Sequence, residues 1–198
     1  YGGDHRLHGG GCRLAWRISD DGGHTWSERV LRDLRPSPVD ADNGMISFLF
    51  WRQAEVDAQG RPLLAYTRIG VNERLAGLHP KRKWTQGECL RIDNLSAEPP
   101  PEDLAFSYLP GKIEDALTVP QPEQPEISWA NEPSFVPLAD GRILAVSRTR
   151  RGCLYASVSD PNGGFSKPEP LRYHDGGAPV LQPGSPARAL ALKFGHRD

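Results

Sequence analysis

Apolar positions in this chain fall into short runs separated by clusters of Gly, Pro, Asn and Asp, and no stretch carries the helical periodicity of an amphipathic helix. This pattern predicts many short strands joined by tight turns. The longest apolar run, Met45 to Trp51, is interrupted by Ser47 and is far shorter than the roughly 20 residues a membrane-spanning helix needs. Two segments repeat one design. Val56-Asp-Ala-Gln-Gly-Arg-Pro-Leu-Leu-Ala-Tyr-Thr-Arg68 and Val136-Pro-Leu-Ala-Asp-Gly-Arg-Ile-Leu-Ala-Val-Ser-Arg148 each read as a strand end, a Gly-containing turn and an apolar strand closing on Arg. Pro38 to Gly44 followed by Met45 to Trp51 is a weaker third copy.

The most specific pattern is Ser19-Asp-Asp-Gly-Gly-His-Thr-Trp26, a full Asp box of the form Ser-x-Asp-x-Gly-x-Thr-Trp. Its physical reading is a hairpin. Arg13 to Ile18 forms the incoming strand, Asp21, Gly22 and Gly23 supply side-chain-to-backbone bonds and positive φ, and Thr25 and Trp26 begin the outgoing strand. Trp26 is expected to bury its ring under the turn while its indole N–H finds a carbonyl. Ser159-Asp-Pro-Asn-Gly-Gly-Phe165, after a strand from Cys153 to Ser159, is a worn copy one residue shorter, with Phe165 in the place of Trp26. Ser19, Asp21, Gly23, Thr25 and Trp26 are thus assigned to scaffolding. Together the pieces define a four-stranded antiparallel meander, and repeated units of about 40 to 50 residues are the mark of a β-propeller. The expected class is all-β, with about four blades in 198 residues. An open arc of blades leaves an apolar face at each end, and both termini fall inside apparent motifs, so residues 1–198 are expected to form part of a larger ring.

Gly70 to Ile127 fits the repeat poorly. It holds Lys81, Arg82 and Lys83 beside Trp84, then a Pro-rich run from Ala97 to Asp103 and further prolines at 110, 120, 122 and 125. Since proline removes ladder donors, this stretch is expected to be an irregular insertion of loop or edge, with Trp84 available to stack on a sugar face. Composition adds exclusions. A net charge of -1 gives no electrostatic reason to expect nucleic acid or an anionic membrane surface as partner. Cys12, Cys89 and Cys153 lack metal-ligand spacing and are odd in number, which indicates buried thiols and neither a disulfide framework nor a zinc site.

Taken together, these features resemble the sialidase (neuraminidase) superfamily, whose six-bladed propellers carry peripheral Asp boxes and a glycan site at the central axis. Beyond the Asp box the likeness rests on Asn131-Glu-Pro-Ser-Phe-Val136, Asp140-Gly-Arg142 and Arg148. It implies that Glu132 is the base toward a nucleophilic tyrosine and that Arg148 is one of three arginines clamping the substrate carboxylate. Asp4, one strand before the Asp box, stands in the place of the acid/base aspartate. A guanidinium suits that clamp because it meets a carboxylate with two parallel charge-assisted bonds. A neutral phenol suits an anomeric centre already bearing a carboxylate, which would repel an anionic nucleophile. The tyrosine and two other arginines match nothing in this chain, so the resemblance implies an exo-acting glycosidase of terminal acidic sugars whose full activity needs the parent protein. It implies no cofactor and no metal, and a secreted or periplasmic setting. Two other functions fit the same residues. A uronate-directed polysaccharide lyase on a related propeller needs an arginine and a His or Tyr base, which brings in His5, His8 and His174. A non-catalytic glycan-binding propeller needs neither.

Overall fold

The computed structural model describes residues 12–40, 46–50, 54–70, 84–182 and 186–190. Asp4, His5, His8, the Lys81 to Lys83 cluster and part of the third repeat lie outside them. The fold is all-β and antiparallel, with three short 3-10 turns as the helical elements among the described residues. Strands β1 (Leu14–Trp16) and β2 (Val30–Arg32) pair across the Asp box. Next come β3 (Phe48–Phe50), β4 (Glu55–Val56), β5 (Pro62–Ile69), β6 (Thr85–Ile92) and β7 (Phe106–Leu109). These form one five-stranded sheet in the order β3-β5-β6-β7, with β4 also pairing β5. The small hairpin β8 (Pro120–Gln121) and β9 (Gln124–Ser128) leads into a second meander. There β10 (Asn131–Pro137), β11 (Ile143–Arg148), β12 (Tyr155–Val158) and β13 (Glu169–Pro170) pair in chain order.

Side-chain alternation makes β5 and β6 two-faced. Leu63, Ala65 and Cys89 pack against Phe135, Ile143 and Ala145 of the second meander. The opposite face sets Tyr66 and Leu90 against Leu34, Ile46 and Phe48. Both faces are covered, so the central strands read as nearly continuous burial in place of inside-outside alternation. Gly87 on β6 permits the close approach of β10, since a Cβ there would stand 3.4 Å from the Pro133 ring.

A charged cluster lies within the second face. Glu88 and Arg68 expose none of their side chains, and Arg68 Nε donates to Glu88 Oε1 at 2.7 Å. Gln86 donates to the same oxygen, while Tyr66 Oη and the Arg35 guanidinium donate to Oε2 at 2.8 and 3.0 Å. Arg68 Nη1 also reaches both oxygens of Asp40, and its Nη2 donates to the Arg35 carbonyl. Burial alone would raise the Glu88 pKa, but the charge and hydrogen bond of Arg68 outweigh it and hold the carboxyl below its ordinary value. Burial and the Glu88 charge push the Tyr66 phenol well up.

Two expectations need correction. In the stretch expected to be irregular, Thr85–Ile92 and Phe106–Leu109 are the regular strands β6 and β7 that complete the five-stranded sheet. β6 hides from a hydrophobicity pattern because Gln86 and Glu88 on one face serve the charged cluster. At the Asp box, Asp21 accepts from the Thr25 backbone and hydroxyl at 2.9 and 2.6 Å, Ser19 Oγ donates to Asp21, and Gly23 N–H donates to Ser19 Oγ. The Thr25 hydroxyl, more than any other group, lowers the Asp21 pKa to about 2. Trp26 Nε1 donates to the Gly23 carbonyl at 3.0 Å, yet the residue is 57% exposed: its ring lies along the turn without entering a core. The outgoing strand starts at Val30, after a Ser27 N–H to Ile18 carbonyl bond closes the loop.

Removing the Glu88 charge leaves two guanidinium groups without their shared anion. We expect Glu88→Gln to lower unfolding free energy in urea by about 3 kcal/mol or more. Because the folded-state pKa of Glu88 is depressed, its contribution is complete above the ordinary value of 4.5 and is lost as pH falls below it toward the folded-state value. Urea midpoints measured across that acid limb should therefore fall more steeply for the native sequence than for Glu88→Gln.

Candidate functional site

The second meander's first hairpin places Asn131 at the start of β10 opposite Arg148 at the end of β11. Register breaks between Asn131 and Ser134, a bulge that turns Glu132 out of the ordinary alternation. Glu132 takes φ of 48°, a left-handed conformation that costs a non-glycine residue about 1 kcal/mol or more. Its backbone N–H donates to Thr67 Oγ1 on β5 at 2.7 Å, so a neighbouring sheet holds the unusual backbone in place. The side chain then meets Arg148, with Glu132 Oε2 2.7 Å from Arg148 Nε. This pair keeps an opening to solvent, at 13% and 21% side-chain exposure, unlike the sealed Glu88–Arg68 pair. A carboxylate and a guanidinium on adjoining strand ends can exchange a proton with, and bind, an anionic polar ligand.

Two residues beyond Asn131 and Arg148, the last registered pair, the Arg150 guanidinium carbon lies 3.5 Å from the Trp129 ring centroid. The Arg150 pKa is lowered by partial burial and then by the charge of Arg148. These residues border a cleft of about 500 Å³ lined by Gln121, Pro122, Glu123, Gln124, Ile127, Trp129, Arg150 and Arg151. Glu132 and Arg148 lie outside its lining.

Of the other residues singled out in the sequence, Trp84 stands just before β6, half-buried, with Nε1 donating to Gln86 Oε1 at 3.2 Å. Thr85 bridges to Trp129, which places Trp84 at the same sheet end as the cleft. His174 sits in an exposed turn beside the Asp175 carbonyl, and no contact among the described residues links it to Glu132 or Arg148. Among the described residues no group of His, Cys, Asp and Glu is placed to hold a metal ion, and no helix is long and apolar enough to cross a membrane. The residues not anticipated are Thr67, the Glu88 cluster and the Trp129–Arg150 stack. One signal for the cluster was present, since Arg68 ends its repeat as Arg148 ends the other and an arginine closing a buried strand requires a carboxylate partner.

The chain matches no family model and no curated protein. The class defined by its fold is an all-β protein of antiparallel sheets, with a strained carboxylate paired to an arginine where two sheets meet.

The cost of the Glu132 backbone is open to measurement. Both Glu132→Gly and Glu132→Ala delete the ion pair, but only glycine tolerates the positive φ without strain. Thermal or urea unfolding should find the glycine variant more stable by about 1 kcal/mol.

Proposed function

We propose that the two meanders are blades of a β-propeller of the six-bladed sialidase type, and that the Glu132–Arg148 pair belongs to the site of an exo-acting glycoside hydrolase that releases a terminal acidic sugar, sialic acid, from glycans. The observation that carries this reading is the pair itself: a glutamate held in a left-handed conformation by a neighbouring sheet, 2.7 Å from an arginine and open to solvent. Strain retained at a polar, accessible position points to use, because a structural role would be met by an unstrained backbone.

In this mechanism the Arg148 guanidinium binds the sugar carboxylate. Its planar fork of five N–H donors fixes the orientation of the anomeric carbon. Glu132 accepts the proton of a phenol as that phenol attacks, so that the nucleophile approaches an anionic substrate uncharged and leaves no net charge behind. Asp4, which lies outside the described residues, is the proposed acid toward the leaving oxygen. The phenol and the further guanidinium groups that such a hydrolase uses are not among the positions matched here, so the test belongs to the whole protein.

With sialyllactose as substrate and released sialic acid as the readout, Glu132→Gln should lower kcat by a factor of about 100 or more while KM changes little. Arg148→Lys should mainly raise KM, by roughly tenfold. Unaltered turnover in Glu132→Gln would remove the assignment. Undiminished binding with no turnover by the native protein would instead identify a glycan-binding propeller.

A further inference from the structure

We propose that the cleft between the β8–β9 hairpin and Arg150–Arg151 is a second carbohydrate subsite, which takes an acidic sugar adjoining the terminal one. The inference rests on the glycan reading of Glu132–Arg148 for the terminal sugar alone; the cleft has its own evidence. Its volume of about 500 Å³ falls within the range of small-molecule sites. Its lining combines what a carboxylated sugar needs. Trp129 gives apolar surface, Arg150 and Arg151 give charge, and Gln121 and Gln124 give amide donors and acceptors.

Three details describe the ligand: charge beside Arg150, an acceptor for Gln121 and a fixed cation at the rim. Arg150 stands near Arg148, and partial burial together with the Arg148 charge lowers its pKa, so a bound anion relieves a repulsion between like charges. Gln121 Nε2 is buried without a hydrogen-bond partner among the described residues, and an acceptor entering the cleft would satisfy it. Arg151 is held at the rim, with Nη1 donating to the Pro120 carbonyl at 3.5 Å and its guanidinium 5.4 Å from the Tyr155 ring. Glu123 also lines the cleft and is exposed, which directs an anion to the Arg150 side. The cleft adjoins the pair: Trp129 and Arg150 lie two residues beyond Asn131 and Arg148, the last registered partners of β10 and β11, and Arg150 is close enough to Arg148 to feel its charge.

The test is calorimetric titration of the whole protein, native in this chain or carrying the changes below, with free N-acetylneuraminic acid and with a disialylated lactose. The native chain should bind the disialylated ligand at least tenfold more tightly than the free sugar. The joint change Arg150→Ala and Arg151→Ala should abolish that gain and leave the affinity for the free sugar unchanged, which also reports an intact fold. Arg148→Ala should lose the free sugar. The subsite is overturned if the disialylated ligand shows no gain in the native chain, or if the gain survives the double substitution. If the free sugar does not bind, or binds equally well to Arg148→Ala, the reading of Glu132–Arg148 fails. The cleft is then judged by the disialylated ligand alone, whose binding to the native chain and loss in the double variant would support it and whose failure to bind would overturn it.

Discussion

Glu88 sits at the centre of the five-stranded sheet with no exposed surface, and its carboxylate is the anion shared by Arg68, Arg35 and Tyr66. A charge so deeply buried costs more to desolvate than a single partner returns, so the arrangement is tolerable only when every oxygen is engaged. That requirement ties distant chain segments together. Arg35 brings the segment after β2 onto the sheet and donates to the carbonyls of Pro110 and Gly111, while Asp40 closes the far side of Arg68. Arg68 also pins the end of β5, and Thr67 beside it faces the opposite way. A slip of one residue would exchange these faces, removing both the buried pair and the hydroxyl that holds the Glu132 backbone. The accessible site thus inherits its geometry from a cluster that never meets solvent.

Arg68 and Arg148 occupy the same position in two copies of one strand-turn-strand repeat, and each pairs with a glutamate. Their surroundings separate them. Around Arg68 the tyrosine and carboxylates are sealed, and burial drives the Tyr66 phenol upward, the wrong direction for a nucleophile. At Arg148 the pair keeps 21% and 13% side-chain exposure, and the glutamate is presented on a strained bulge. One repeat therefore yields a structural clamp and an open pair, according to what covers the strand end.

Much of this architecture was legible because turns announce themselves. The two repeats appear as β4–β5 and β10–β11, with Gly60 and Gly141 both at positive φ in the turns, and Asp160 accepts from Asn162 and Gly164 in the worn box. Glu132 and Arg148 were singled out from a short motif and stand in contact. What escaped was whatever local pattern does not encode. β6 looked unlike a strand because Thr85, Gln86 and Glu88 among its buried residues are polar, and Glu88 takes Arg68, Tyr66 and Arg35 as partners from 20 or more positions away. Trp26 misled in the opposite sense: the motif implies burial, but a loop that closes on itself through backbone and side-chain bonds needs no core beneath it. The Trp129–Arg150 stack depends on register beyond the last regular pair of a hairpin, which sequence spacing does not specify.

The electrostatics of the region follow from its local inventory, not from the chain's overall charge of -1. Arg148, Arg150 and Arg151 lie within four residues of one another, and among the described residues Glu132 pairs with Arg148 while Glu123 stands at the cleft margin. Arg13, Arg61 and Arg142 are each matched locally, by Asp33, Asp57 and Asp140. Three guanidinium groups thus stand together where the β10–β11 ladder runs out. A field of that kind decays within about 8 Å in physiological salt, so it acts on ligand groups inside the cleft and hardly at all on approaching macromolecules. That short range, together with an aromatic face and amide donors on the same walls, favours a small carboxylated ligand over a polyanion, which would require positive charge spread across the surface.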